Sequence, residues 1–142
     1  MAQDLDQRLL ELLRNNSRES IANLADKLGV SRATVKQHMA TLERRKIIEG
    51  YTIRYHPQHQ QQQITAYLMI EITPKLVGSI VRKMEKIPEV EALFSISGNY
   101  DLLAVVSCAN TRELDQAIDL IAGLDGVEKT LTSIVLGAKF QR

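Results

Sequence analysis

Six polar or basic side chains crowd into ten consecutive positions: Arg32, Thr34, Lys36, Gln37, His38 and Thr41. A glutamine amide can form a bidentate pair with adenine, and a threonine can meet a base edge or a thymine methyl. Histidine can donate to guanine or to a phosphate. Arg32 and Lys36, with Arg45 and Arg54 further along, are cations of the kind that grip a phosphate backbone. Ser31 heads the group as a candidate N-cap and is counted with it. The chemistry these residues offer is recognition of double-stranded DNA. Each could equally be a solvated side chain, and Arg45 and Lys46 could simply offset a helix dipole. A second group, Ser97, Gly98, Asn99, Tyr100 and Asp101, lies between two apolar runs. Gly98 permits a tight connection. Asp101 could receive an amino group while loop amides receive a carboxylate, or the group could be a hairpin turn in which Asp101 satisfies local backbone donors.

Other chemistries lack their residues. His56, His59 and Cys108 form no ligand motif, so no metal is expected. There is no set of nucleophile, base and orienting group, and no phosphate loop, so neither catalysis nor a cofactor is expected.

The elements that must position the first group are three helices. Leu5, Leu9, Leu12 and Leu13 recur at helical spacing and predict a helix over 4–15. Ser17 or Ser20 could cap the next, whose apolar stripe is Ile21, Leu24, Ala25 and Leu28, and Gly29 ends it. The third helix starts after Ser31 and runs to about Lys46. Val35, Met39 and Leu42 should face the core, placing positions 33, 34, 37, 38 and 41 around the opposite side. The two later helices read as a helix-turn-helix. The expected core is Leu9, Leu12, Ile21, Leu24, Leu28, Val35, Met39, Leu42 and Ile47. After Gly50, YTIRY alternates in the strand period and could form a wing-like ribbon, or a strand paired with another subunit. HPQHQQQQ follows as a polar spacer from His56 to Gln63.

From Ile64 the chain repeats weakly at an offset of 37 positions: Val77, Ile80, Val81, Met84, Ile87 and Val90 correspond to Leu114, Ala117, Ile118, Ile121, Leu124 and Val127. A strand precedes each helix, Pro88 and Gly126 punctuate the turns, and Asn110 with Glu113 could form a capping box. The order is βαββαβ, a ferredoxin-like arrangement with strands near 64–72, 90–97, 101–107 and 128–136. LMIEI, LFSI, LLAVV and SIVL carry apolar residues on both faces. A monomer would expose an apolar sheet face, so a homodimer is expected. The fold class is therefore α+β, with a helix-turn-helix domain at 1–50, a strand or linker at 51–63, and a ferredoxin-like domain at 64–142.

Charge agrees with this division. The net charge is only +1, but residues 1–56 carry ten bases against seven acids, and residues 57–142 carry eight against ten. Between Ser31 and Arg54 there are six bases and two acids, which fits a phosphate-facing surface. No apolar run is long enough for a membrane span, and the acids near the N-terminus argue against a secretory signal. With one cysteine, no intrachain disulfide can form. A cytoplasmic protein is expected.

Over nearly its whole length the chain resembles the Lrp/AsnC family of feast/famine transcriptional regulators. The resemblance rests on DQRLLELL, SIANLADKLGVSRATVKQHMATLERRKII and EGY in the first half, and on IPEVEALFSISGNYDLLAVV and LDGVEKTLTSIVL in the second. It implies dimerisation through the second domain, further assembly as a tetramer of dimers, and an amino acid or related effector bound between second domains. By the same resemblance, Ser97, Gly98, Asn99, Tyr100 and Asp101 form or border the effector site. The chain departs from the family pattern where Gln37-His38 stands in place of arginines, and where Lys46 occupies a position that is commonly glycine. The function expected is a sequence-specific DNA-binding regulator responsive to a small effector. The alternative is an architectural protein that wraps or bends DNA with weak sequence preference.

Overall fold

The computed structural model describes residues 2–56 and 63–140. The chain divides into two compact units, the first ending at Arg54 and the second beginning at Tyr55.

The first unit holds three helices, α1 (Ala2–Asn15), α2 (Ile21–Leu28) and α3 (Arg32–Arg44). Ser20 caps α2 by accepting from Asn23 N–H, and Ser31 caps α3 by accepting from Thr34 N–H. Gly29, at φ 70, closes α2 in the left-handed conformation that glycine adopts without a steric cost. The core is Leu9, Leu13, Leu24, Ala25, Leu28, Val35 and Leu42. Leu12, Ile21 and Met39 only border it. Ile47, expected inside, is 47% exposed. The cause is where α3 stops. It ends at Arg44 rather than Lys46, and Lys46 turns left-handed at φ 58. The amides of Ile47 and Ile48 then both donate to the Leu42 carbonyl, at 2.9 and 3.2 Å. Ile48, one position later than expected, meets the core instead.

Residues 51–56 form no strand. The alternation in YTIRY expects one, but among the described residues no strand lies alongside to share a ladder with it. Tyr51 is held instead by its hydroxyl, which donates to Glu43 at 2.9 Å. Most of the spacer expected at 56–63 lies outside the described residues.

The second unit is a four-stranded antiparallel sheet with two helices on one face. Its elements are β1 (Ile64–Ile72), α4 (Val77–Met84), β2 (Val90–Ser95), β3 (Leu102–Cys108), α5 (Thr111–Ala122) and β4 (Val127–Ile134). A single 3-10 turn at Pro74–Leu76 leads into α4. The strand order is β2-β3-β1-β4. β2 and β4 are each two residues shorter at their far ends than the apolar pattern suggests; beyond β4, Leu136 is 98% exposed. Ala66, Leu68 and Ile70 of β1 and Ala104 and Val106 of β3 alternate inward against Ile80, Met84, Leu114, Ala117 and Ile121 of the helices. The α5 cap forms with one change from the usual box. Asn110 Oδ1 accepts from Glu113 N–H at 3.0 Å, while the Glu113 carboxylate accepts from the Ala109 amide at 3.1 Å. Gly126, at φ 95, lets the turn before β4 cross Leu76; an added Cβ would stand 2.8 Å from Leu76 Cβ.

The opposite sheet face is open. Register aligns Phe94, Leu103, Met69 and Leu131 in one row across all four strands, and Ala92, Val105, Tyr67 and Ser133 in the next. Phe94 is 53%, Leu131 45% and Tyr67 41% exposed.

Candidate nucleic-acid and effector sites

Burial of Val35 and Leu42 fixes the rotation of α3. At 3.6 residues per turn the line opposite them runs through Ala33, Gln37, Ala40 and Arg44, and all four are exposed. Gln37 therefore stands outward between two alanines, whose short side chains leave its amide approachable. Arg32 and Lys36 are exposed on one side of that line, and Ser31 is exposed at its head. Arg45 is exposed at the C-cap, where it also lies near the negative end of the helix dipole. Ala33 stands on the side the sequence expects, and Ala40 is the addition to it. The signal for Ala40 is the seven-residue spacing from Val35 to Leu42.

Three expected members of the group are only partly exposed. Thr34 and Thr41 are half-buried on the other side of the outward line. The Thr34 hydroxyl is 2.8 Å from Ser31 Oγ, so it belongs to the cap. His38 follows buried Val35 by three positions and so stays beside the core. Its Nδ1 lies 2.6 Å from Asp6 Oδ1, with both side chains only 24% exposed. The ring ties α3 to α1 and does not project outward. Nothing local in the sequence pairs residues 32 positions apart. Arg54 is exposed in irregular chain and, with Arg14 and Arg18, lines an open groove of about 760 Å³ at the end of α1.

Ser97, Gly98, Asn99, Tyr100 and Asp101 form the connection from β2 to β3. Gly98 takes φ 118 with open space around it, so backbone conformation alone calls for glycine. Asp101 is the anchor. Its amide donates to the Ile70 carbonyl at 2.9 Å, and its carbonyl accepts from Ile96 N–H at 3.0 Å. Its carboxylate Oδ2 accepts from Ile72 N–H at 2.9 Å. That amide lies where the β1–β4 register shifts, between Glu71 and Ile72. The carboxylate thus covers a donor that the irregular ladder disturbs. Lys129 Nζ sits 5.9 Å from the centroid of the half-buried Tyr100 ring, a cation–π distance. Register places Lys129 opposite Glu71. Lys129 and Glu71 join the loop through strand pairing, a signal absent from the SGNYD motif itself. Among the described residues the side chains of Ser97 and Asn99 are unbonded. The arrangement offers a carboxylate, a cation, two free polar side chains and an aromatic face beside the end of β1.

Cys108 is buried at the end of β3. Burial, then Glu89 and Glu113, push its thiol up from the usual range, which holds it protonated and inert. Among the described residues no group of three or more potential ligands could hold a metal ion. No helix among them is long and apolar enough to cross a membrane.

Residues 65–142 match the model of the Lrp/AsnC ligand binding domain, and residues 3–49 match that of a winged helix-turn-helix DNA-binding domain. The chain belongs to the Lrp/AsnC family. Among its relatives is the HTH-type transcriptional regulator LysM of Saccharolobus solfataricus, 33% identical over 95% of this chain and 94% of that protein. Another is the HTH-type transcriptional regulator LrpA of Pyrococcus horikoshii, 29% identical over 96% of this chain and 97% of that protein. AsnC of E. coli superposes with a TM-score of 0.85 at 28% identity, covering 98% and 95% of the two chains. A feast or famine regulatory protein of M. tuberculosis, solved with L-methionine, superposes at 0.84 with 25% identity, covering 99% and 96%. The chain is thus an Lrp/AsnC transcriptional regulator, with a helix-turn-helix unit and a ferredoxin-like ligand-binding unit.

Proposed function

We propose that this Lrp/AsnC regulator reads DNA with Gln37 and holds the phosphate backbone with Ser31, Arg32, Lys36, Arg45 and Arg54. Thr34, His38 and Thr41 position α3 from its flank. The observation that carries this reading is the exposed Gln37 amide standing outward on α3, between alanines and beside Lys36. The open sheet face, with its two apolar rows, is proposed to close a homodimer. Two copies of α3 could then address a near-palindromic site. The dimers assemble further, as a tetramer of dimers.

The β2–β3 loop is proposed as the effector site, with an amino acid as the ligand class. Asp101 and Lys129 supply charges for its amino and carboxylate ends. Support comes from the methionine complex of the M. tuberculosis relative. Binding at a subunit junction would change assembly or the spacing of the reading helices, which is the requirement for coupling the two sites. The protein is proposed to be cytoplasmic and to do no covalent chemistry.

Selection of genomic fragments by the full chain, with and without an amino-acid mixture, tests both halves. Discrete fragments whose recovery changes with the mixture are expected. Recovery of no preferred fragment would overturn the reading. One observation favours a second possibility: Gln37 is the sole side chain on the outward line with the bidentate amide suited to adenine. An architectural binder would lose its preference against unrelated DNA at fixed salt, whereas a specific one keeps a large affinity ratio.

A further inference from the structure

Register and hydrogen bonds gather four charged side chains at the end of β1. The Asp101 carboxylate accepts from the Ile72 amide, so it stands against the peptide bond that joins Glu71 to Ile72. Glu71 is set opposite Lys129 across the β1–β4 ladder, and Glu128 accepts from the Thr73 hydroxyl at 2.8 Å. Opposite charges placed directly across two strands ordinarily attract one another. Here they form no ion pair. The pairs among the described residues, Lys27–Glu19 and His38–Asp6, both lie in the first unit. The Lys129 amine sits over the Tyr100 ring instead. Lys75, the nearest other base in β1's own run of chain, stands in the turn that leads into α4. Three carboxylates therefore share one lysine, and the half-buried Glu71 has no cation bound to it.

We infer that Glu71 selects the effector, and that the effector is an amino acid with a cationic side chain. The inference rests on the effector reading above, in which Asp101 and Lys129 take the ammonium and carboxylate groups that every amino acid carries. Those contacts use up the one lysine and leave Glu71 without a partner. A neutral side chain laid over Glu71 would take water from its carboxylate and return nothing, which disfavours binding. An acidic side chain would add a like charge. A basic one supplies the missing cation through a charge-assisted hydrogen bond, so the same carboxylate both attracts the right ligand and rejects the wrong ones. The surroundings suit an alkyl stem. Alternation puts Glu71 on the open sheet face with Met69 and Tyr67, so methylenes lie along apolar side chains while the charged end reaches the carboxylate. Glu71 and Asp101 flank one peptide bond, which fits a ligand with a cationic group at each end. A metal ion fits less well, because among the described residues no three potential ligands converge.

Isothermal titration calorimetry of the full chain tests it, with L-lysine and L-arginine set against L-norleucine, L-methionine and L-glutamate. Norleucine has the carbon skeleton of lysine and lacks only the terminal ammonium, so the two isolate the charge. Lysine or arginine is expected to bind roughly tenfold more tightly than norleucine, or better, and glutamate more weakly than all of them. Raising the salt should narrow the gap, as the screening length falls from about 8 Å at 0.15 M to about 3 Å at 1 M. Glu71→Gln should remove the advantage of the basic ligands, and Glu71→Lys should reverse the order in favour of glutamate. Norleucine or methionine binding to wild type as tightly as lysine and arginine would overturn the inference and leave the effector reading in place. That comparison needs no variant, so it holds whether or not the substituted chains fold. A Glu71→Gln chain with the wild-type circular dichroism spectrum and an unchanged preference for the basic ligands would also overturn it. Wild type that binds none of the common amino acids would overturn the effector reading itself, and this inference with it.

Discussion

Among the described residues, the first unit buries a core of seven between three helices, and the second a core of fourteen between a sheet and two helices. The two units use their remaining surface in opposite ways. In the first, the surface left over on α3 is polar, and the candidate reading residues Gln37 and Lys36 carry none of the core. In the second, the leftover sheet face is apolar, and the candidate ligand residue Asp101 is also a bond in the framework. A residue of the first unit can therefore change function at little cost to the fold. A residue of the second changes both together. The latter arrangement suits allosteric coupling, because a ligand that engages Asp101 competes with a framework bond and so can differ in affinity between two states of the loop.

The largest expected effect tests the framework side. Gly126→Val places a Cβ within 2.8 Å of Leu76 Cβ at a φ of 95. Backbone strain and overpacking together should cost the second unit about 3 kcal/mol. Hydrogen exchange reads the units separately: β1 amides should lose protection while α2 and α3 amides keep theirs. Equal loss in both would show that the units do not unfold independently.

Gln37→Ala tests the polar side. Stability should move by less than about 0.5 kcal/mol, as for other exposed substitutions, while discrimination at one base pair falls by about 1–3 kcal/mol. Lys36→Ala should weaken all sites alike and lower the salt slope by about one. A uniform loss from Gln37→Ala, with base preference intact, would remove Gln37 as the reading residue.

Asp101 is where the contrast can be sharpened. Asp101→Ala leaves the Ile72 amide without its acceptor, at a cost of about 1–2 kcal/mol. Asp101→Asn keeps an acceptor oxygen and removes the charge. The asparagine variant should therefore melt near wild type yet lose its response to an amino acid, while alanine loses both. A full response from the asparagine variant would confine Asp101 to its structural bond.

Much of this frame is legible in the chain itself. Leucine spacing, Gly29 and the serine caps set out the helices, and the 37-position repeat sets out the sheet with its apolar open face. What is not legible depends on partners distant in sequence. His38 reads as a DNA contact because its neighbours are polar, but Asp6 turns it inward across 32 positions. Asp101 reads as a loop carboxylate because the β1 bulge that needs it lies 29 positions earlier. Lys129 and Glu71 enter the effector region only once the β1–β4 register is known. Periodicity reports the direction in which a side chain points along its own element, and says nothing of which irregularity elsewhere will claim it.

The end of α3 supplies the smallest test, and it inverts the first. Gly126 is a glycine whose replacement meets both backbone strain and Leu76, whereas Lys46 stands where a glycine would sit more easily. Its φ of 58 brings the Ile47 and Ile48 amides onto the Leu42 carbonyl, so the left-handed turn is what closes the helix. A residue with a Cβ pays roughly 1–2 kcal/mol for that conformation, and glycine returns part of the gain as unfolded-chain entropy. Lys46→Gly should therefore raise the stability of the first unit by about 0.5 kcal/mol, seen as slower exchange of the α3 amides. Lys46→Ala keeps the strain and loses the charge, and so should not share the gain. If glycine instead lowers stability, the lysine's attraction to the carbonyl end of α3 outweighs the strain. The C-terminus of α3 would then be held electrostatically, in the same manner as the surface it presents.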